Sequence, residues 1–424
     1  MKRFSSCLTN ILLMLVSLGL TLLILEGLVR LVGLAPPAMP NPTIWQPHPL
    51  FGWWHIPHSG GMFYSDYNEF SAEVRINDHG LRDGVIGYDN PTNALRVLSL
   101  ADSFGEALQV DLADTYHKQL QVRLEESLGK PVQVLNAGVG GWGTDQEAIF
   151  YVAEGFRYEP DIVLLSVFVR NDVVNNYGPL ENARNGGSQQ KLFFELAPDG
   201  SLIAPPLEEL ATAPPAEPIN PLDAPQSDSA KPWLLPLADT LWQWSATYRF
   251  LAPRLRDMAP VVQRLGPSGI LGGEGVVRAG HPTTPIPFFV YQEPSSAEFE
   301  AAWQLTEAII RQLRDEVAER GAKLAVVLIA APEQLDPSQW DDLVARNPVM
   351  AEQSWNLDLP NQRLTEFLQQ EQISHLDLLP IFRQASQQPD AQPLHLRHDQ
   401  HWTEAGHALA AESIYEFLVG ELEE

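Results

Sequence analysis

Cysteine is nearly absent from this chain: Cys7 stands alone among 424 residues. An intrachain disulfide framework and a cysteine-built metal site are thereby excluded. Basic residues are scarce as well. The 27 Lys+Arg face 54 Asp+Glu, and a formal net charge of -27 argues against nucleic acid and other polyanions as ligands. No acidic run stands out, so the excess reads as a device for solubility. Internal repeats and heptads are missing, and the glycine-rich stretches fit neither a P-loop nor a G-x-G-x-x-G fingerprint. What remains is an ordinary globular composition, 45% hydrophobic, with enough apolar residues for a sizeable core. A chain of this length holds two average domains, or one α/β domain with long insertions.

A long apolar run occurs at the start of the chain. Met1-Lys2-Arg3 is basic, and Leu8 to Leu25 carries no charge. At about 1.5 Å per helical residue this run covers ~27 Å, just enough for a bilayer core. Glu26 and Arg30 return charge beyond it. The positive start predicts that the N-terminus is cytoplasmic and that everything after the run lies outside. A cleaved signal peptide is the competing reading. It would have a shorter apolar region followed by a small-residue site, and no convincing one precedes Ala35-Pro36-Pro37. Residues 1–34 are therefore expected to be a cytoplasmic start and transmembrane signal anchor.

Residues 35–93 read as a linker and a small β-rich prelude, with alternation such as Ala72-Glu73-Val74-Arg75-Ile76. From residue 94 the pattern changes. Leu95 to Leu100 is a buried-type strand, 114–128 an amphipathic helix with Asp114 as N-cap, and Val132 to Leu135 a second strand. A helix at 144–157 and a third strand, Ile162 to Val169, follow. The near-continuous apolar strands suit a parallel sheet covered on both faces. Residues 178–295 are Pro/Gly-rich (Ala204-Pro205-Pro206, Ala213-Pro214-Pro215, Asn220-Pro221) and read as an insertion, with one helix near 236–257. The α/β pattern resumes over 296–424. A long helix spans 296–320, with Ser295 and Glu298 as a capping box and Phe299, Ala302, Trp303, Ile309, Leu313 and Val317 as its apolar face. Leu324 to Ala330 is a fourth strand, 361–371 a helix, Ile373 to Leu378 a fifth strand, and Thr403 to Leu418 a final helix. Strands alternating with such helices imply an open parallel sheet with helices on both sides.

Four short segments fall just beyond strand ends, where such a sheet places its active site. Ala101-Asp102-Ser103 ends the first strand, and a serine at that turn is exposed; an N-cap role is the plainer alternative. Asn136 to Thr144 follows the second strand with four glycines, so one N–H there is free to bind an oxyanion, unless the stretch is a simple glycine loop. Val169-Arg170-Asn171-Asp172 ends the third strand and offers a neutral amide donor, or merely a turn. The fourth, His398-Asp399-Gln400-His401-Trp402-Thr403, precedes the last helix. A nucleophilic serine needs a base, and the base an orienting carboxylate. Asp399 and His401, two apart on an extended segment, are placed to supply both. Metal binding by His395, His398, His401 and His407 is the alternative there, though no cysteine or His-x-x-x-His helix supports it.

Ser, Gly, Asn and Asp/His in this order, each at a strand end, resemble the four blocks of the SGNH (GDSL-like) hydrolase superfamily. The resemblance covers roughly 94–177 and 296–420. It implies a flavodoxin-like three-layer α/β/α fold, with Ser103 as nucleophile, His401 as base and Asp399 as the acid. It also implies an oxyanion hole made of the Ser103 and Gly141 N–H groups and the Asn171 side chain. Ala101 stands where the family usually has glycine before Asp-Ser, and Arg170 where the third block often has glycine; both fit if their φ is negative. The spacing Asp-x-His-Trp, rather than Asp-x-x-His, is similar to the membrane-associated branch that includes polysaccharide O-acetyltransferases of the alginate type. Trp402 and Arg170 are then candidates for contacting substrate, Trp402 by stacking on a sugar or, equally, as core.

The resulting expectation is a membrane-anchored serine esterase, periplasmic or extracellular, acting on a small acyl ester, such as acetyl, on an envelope glycan. Such chemistry calls for no metal or cofactor. O-acyl transfer to a polysaccharide is the alternative within enzymes, and a non-catalytic glycan-binding component on the same fold the alternative outside them.

Overall fold

The computed structural model describes residues 2–185, 191–205, 232–272 and 284–423. The chain divides into a larger unit (Asn41–Phe63, Phe70–Ser229, Pro282–Glu424) and a smaller one (Met1–Pro40, Tyr64–Glu69, Ala230–His281). Pro214-Pro215 and Asn220-Pro221 lie outside the described residues.

The expected β-rich stretch contains two small pairs. Strand β1 (Trp45–His48) runs antiparallel to β2 (Gly52–His55), and β3 (Gly60–Tyr64) pairs with β4 (Ser71–Arg75). Along β4 the alternation works as predicted: Ala72 and Val74 are buried while Glu73 and Arg75 are exposed. Trp45, Phe51, Trp53, Trp54 and Phe63 enter the same apolar core as the central sheet. The prelude is therefore an integral layer of the larger unit.

The central sheet comprises β5 (Leu95–Ala101), β6 (Val132–Asn136), β7 (Ile162–Phe168), β10 (Lys323–Ile329) and β11 (Ser374–Asp377), while β8 (Glu195–Leu196) and β9 (Leu202–Ile203) form a separate antiparallel pair. All its pairings with a described register are parallel, in the order β6-β5-β7-β10-β11. This is the flavodoxin-like order, in which the chain reverses direction across the sheet between β5 and β7. Alternate residues feed two cores. Leu98, Leu100, Leu165, Val167, Val326 and Leu328 meet the helices Thr144–Ala153, Ala297–Glu319 and Leu359–Gln370 on one face. On the other, Val97, Val134, Leu164 and Val327 meet Tyr116–Leu128, Leu378–Ser386 and Glu404–Glu423. Each side chain removed fully from water contributes about 1.5–3 kcal/mol. The result is the expected three-layer α/β/α architecture.

Local details differ from expectation where a neighbouring residue offered a better cap. Thr115, not Asp114, caps Tyr116–Leu128, because Leu112–Asp114 forms its own 3-10 turn. Ser296 caps the long helix in place of Ser295, whose hydroxyl instead donates to the Gln292 carbonyl. The single helix expected near 236–257 is two, Leu235–Trp244 and Ala246–Arg256. Ser245 breaks the run by turning extended and capping the second helix through the Tyr248 N–H.

In the smaller unit, the N-terminal helix runs from Lys2 to Val32, beyond both Glu26 and Arg30. Leu12–Val32 has mean hydropathy 2.4 and is almost wholly exposed, so it is long and apolar enough to cross a membrane. Arg249, on Ala246–Arg256, donates to the carbonyls of Pro36 and Trp242.

Candidate active site

Ser103 and Asn171 follow β5 and β7, the two strands that flank the reversal, which is where sheets of this order open a crevice. At Ala101 the chain leaves β5 and turns directly into the short helix Ser103–Glu106, capped by Asp102, whose Oδ1 accepts the Phe104 N–H at 2.8 Å. Glycines let the next loop come close. A Cβ on Gly138 would lie 2.4 Å from the Gly105 carbonyl carbon, so the loop after β6 packs backbone to backbone on the nucleophile's helix. Gly141 has φ +78, open to glycine without strain. Neither Ala101 nor Arg170 has positive φ, which answers the two departures from the family's glycines.

Asp399 and His401 sit in a tight loop between the helix Leu378–Ser386 and the C-terminal helix. His395 bridges Trp402, Leu396 N–H donates to the His401 carbonyl, and Gln400 N–H donates to the Leu396 carbonyl. Asp399 and His401 were expected on an extended segment; instead Gln400 between them takes a left-handed φ of +71. That turn brings both side chains to one side. His401 Nδ1 lies 2.7 Å from Asp399 Oδ1, and His401 Nε2 lies 2.7 Å from Ser103 Oγ. Burial lowers the pKa of the His401 imidazole, but the Asp399 carboxylate, by charge and hydrogen bond, more than offsets this and holds it above its ordinary value. For Asp399 the balance is reciprocal. Burial raises its carboxyl, His401 outweighs burial, and the group stays below the usual range. This arrangement can deprotonate a serine and stabilise the imidazolium that forms.

The other expected residues divide. Asn171 Nδ2 donates to Asp102 Oδ2 at 3.0 Å, which orients its amide beside the nucleophile. Asn175 Nδ2 holds the Gly141 carbonyl at 2.9 Å, and Trp53 Nε1 holds that of Gly140 at 3.0 Å. Trp402 is 1% exposed and packs against Phe104, Phe382 and His407. It is core beneath the base, not a platform for a sugar. Arg170 is occupied by protein: its Nη1 donates to Glu333 Oε2 at 3.0 Å and to Gln400 Oε1 at 2.9 Å. The four histidines do not converge. His401 serves Ser103, while His395 and His407 are buried and their pKa values pushed down to about 3 by that burial. Among the described residues no cluster of His, Cys, Asp and Glu is arranged to hold a metal ion.

Sequence reasoning missed several residues that shape this site. Glu333 lies just past β10, at a fourth strand end, and that position was the available signal. Tyr291 Oη donates to it at 3.0 Å. Glu333 also edges a cavity of about 360 Å³ that includes Trp340, Asp358 and Arg383. Glu106 closes the helix Ser103–Glu106 and accepts from Trp45 Nε1 and His55 Nε2, both at 2.7 Å, thereby tying the prelude to the turn at Ser103. Arg82 adds a clamp, donating to the carbonyls of Glu106, Ala107 and Val110. No pattern in the sequence announces these long-range pairs. Beneath the site, Asp102, Glu147 and Asp172 are fully buried; burial, then the Asp102 charge, holds the Glu147 carboxyl well above its ordinary value, and burial, then the Glu147 charge, does the same for Asp172.

Comparison with known proteins agrees with the motif reading. The family model described as SGNH hydrolase-like domain, acetyltransferase AlgX, matches residues 288–422, the stretch that carries Asp399 and His401. Over that stretch the chain is similar to this SGNH hydrolase-like domain. No curated protein matches the sequence. Among solved structures, the acetyl xylan esterase AlAXEase is similar at 12% identity, covering 76% of this chain and 98% of its own, with a TM-score of 0.38. A variant of the acetylxylan esterase Axe2 from Geobacillus stearothermophilus is similar at 11% identity, with 76% and 93% covered and a TM-score of 0.35. A GDSL-like lipase from Bacteroides thetaiotaomicron is similar at 7% identity, with 79% and 93% covered and a TM-score of 0.34.

Proposed function

We propose that the chain is a serine esterase that acts outside the cytoplasm on small acyl esters, acetyl on a glycan being the favoured case. The observation that carries this reading is the continuous hydrogen-bonded line from Asp399 through His401 to Ser103. His401 Nε2 takes the Ser103 hydroxyl proton as Oγ attacks the ester carbonyl. Asp399 keeps the imidazole in the tautomer with its proton on Nδ1 and stabilises the cation. The tetrahedral oxyanion is received by the Ser103 and Gly141 N–H groups and the Asn171 amide, each such donor being worth about 3 kcal/mol at the transition state. Collapse expels the alcohol, which takes its proton from His401, and leaves an acyl-serine. Water, activated by His401, then releases the acid and restores the serine.

Transfer differs only in the last acceptor, a sugar hydroxyl in place of water. The match to a family described as an acetyltransferase supports this second reading. The apolar N-terminal helix supports anchoring to the inner or plasma membrane, with the catalytic unit on the outer side.

The test is labelling of the full-length protein, in detergent, with a fluorophosphonate, followed by peptide mapping. The expected result is one adduct, on Ser103, lost in His401→Ala. A folded protein that takes no adduct would refute serine catalysis. Given an adduct, acetylated glycan product without free acetate would assign transfer, and free acetate hydrolysis.

A further inference from the structure

The smaller unit contains a feature that the catalytic reading leaves unused. Glu26, one residue past the uncharged run Leu8 to Leu25, is only partly exposed and is engaged by protein. Its carboxylate accepts from Ser245 Oγ at 2.9 Å and from the N–H groups of Ala246 and Thr247 at 2.8 and 2.9 Å, at the N-terminus of Ala246–Arg256. One turn further along, Arg30 pairs with Glu26 and donates to the Trp244 carbonyl at 2.7 Å. Charged groups of the apolar helix thus fasten a second helix pair at a fixed level along it, the level where the uncharged run ends.

That helix pair displays apolar side chains. Among the described residues, Trp233 is 78% and Trp244 74% exposed, and Leu237, seven before Trp244 and so on the same helical face, is exposed as well. Leu251 and Met258 add to the exposed apolar surface of the same unit. Large rings left this open to water are unusual on a soluble surface. Charge does not oppose such a surface: of the arginines in residues 232–272, Arg249 and Arg256 are buried, and the exposed Arg254 and Arg264 offset Asp239 and Asp257 in a chain of net charge -27.

From these observations we propose that Leu235–Trp244 and Ala246–Arg256 form a foot lying in the headgroup region of the membrane, with Trp233, Leu237 and Trp244 entering the lipid. The occupant of this face is the bilayer leaflet at the Arg30 end of the apolar helix, so the proposal rests on that helix spanning the membrane. Two considerations point to lipid, and a third permits it. Tryptophan is favoured at the boundary between hydrocarbon and water, and Trp244 is fastened at that boundary by Arg30. The apolar surface is continuous in one unit with a helix that is itself exposed and membrane-length. Exposed charge on the pair is balanced in an otherwise strongly acidic chain, so an anionic lipid surface is not repelled there.

Cys7 is the lone cysteine, so in a Cys7→Ser background any introduced cysteine is a unique spin-label site. The full-length chain is reconstituted into vesicles of phosphatidylcholine and phosphatidylglycerol, with labels at Leu20→Cys, Leu237→Cys, Trp244→Cys or Asp239→Cys. Relaxation by oxygen, which favours lipid, is compared with relaxation by a water-soluble nickel chelate. The expected oxygen-to-nickel ratio at 237 and 244 is lipid-like, as at 20, and severalfold above that at 239. A lipid-like ratio at 20 with ratios at 237 and 244 equal to that at 239 would overturn the foot and leave the anchor standing. An aqueous ratio at 20 would overturn both. Wild-type protein supplies a second measurement: brominated lipid should quench a fraction of the tryptophan emission, and that fraction should vanish in the Trp233→Phe, Trp244→Phe double variant. Quenching unchanged by the double variant would refute the foot.

Discussion

Replacing Asp399 by asparagine keeps the side chain's size and removes its charge. In the wild-type protein two opposed effects act on His401: burial lowers its pKa, and the carboxylate 2.7 Å from Nδ1 raises it by more. The base is active when neutral, so kcat/KM is expected to fall as pH drops through a value above the ordinary 6.5. In Asp399→Asn the raising influence is gone and burial remains, which moves the acid limb to lower pH. Turnover falls at the same time. The amide can donate to Nδ1, which stabilises the tautomer with its proton on the Nε2 facing Ser103, and that tautomer cannot accept. Loss of the orienting carboxylate in such a triad costs about 10⁴ in kcat, or roughly 5.5 kcal/mol. Hydrolysis of p-nitrophenyl acetate from pH 5 to 9 measures both quantities. A variant that keeps more than a tenth of wild-type turnover, with its acid limb unmoved, would refute the assignment of Asp399 as the orienting group.

Two further outcomes follow from the same geometry. Asn171→Ala removes the amide that Asp102 orients, and should lower kcat by about 10²–10³ with little change in KM; a change confined to KM would place Asn171 in substrate binding instead. Burial and then the neighbouring Asp102 and Asp145 charges hold the Glu147 carboxyl well above its ordinary value, which favours its neutral form in the folded chain. A raised carboxyl of this kind contributes stability that is fully present below its unfolded pKa and is lost as pH rises toward the folded value, by up to about 1.4 kcal/mol per pH unit. Glu147→Gln lacks that dependence, so its melting temperature relative to wild type should climb from pH 5 to pH 8. A difference independent of pH would show that Glu147 does not titrate in this way.

The sequence by itself determined the layer architecture and the four chemical segments. Strands such as Leu95 to Leu100 and Ile162 to Val169 are apolar at successive positions because both of their faces are covered, and that pattern is local. Strand ends are local too, which is why Ser103 and Asn171 were legible; Asp399 and His401 lie beyond the helix Leu378–Ser386, in the loop before the final helix, and were legible from their motif and not from a strand end. Capping by Thr115 and Ser296 was displaced by one residue because adjacent polar side chains compete for the same backbone N–H groups. Tertiary structure alone decided the rest. It made Gln400 the left-handed turn that brings Asp399 and His401 together, and buried Trp402 beside them. It also tied Glu106 to His55 across 51 residues and brought Glu333 to Arg170 across 163. Pairs so far apart in the chain leave no periodic trace, since their energy depends on where two separately formed elements meet. The same holds for Glu26: the sequence marks it as the end of an apolar run, and only the fold supplies the helix N-terminus that its carboxylate caps.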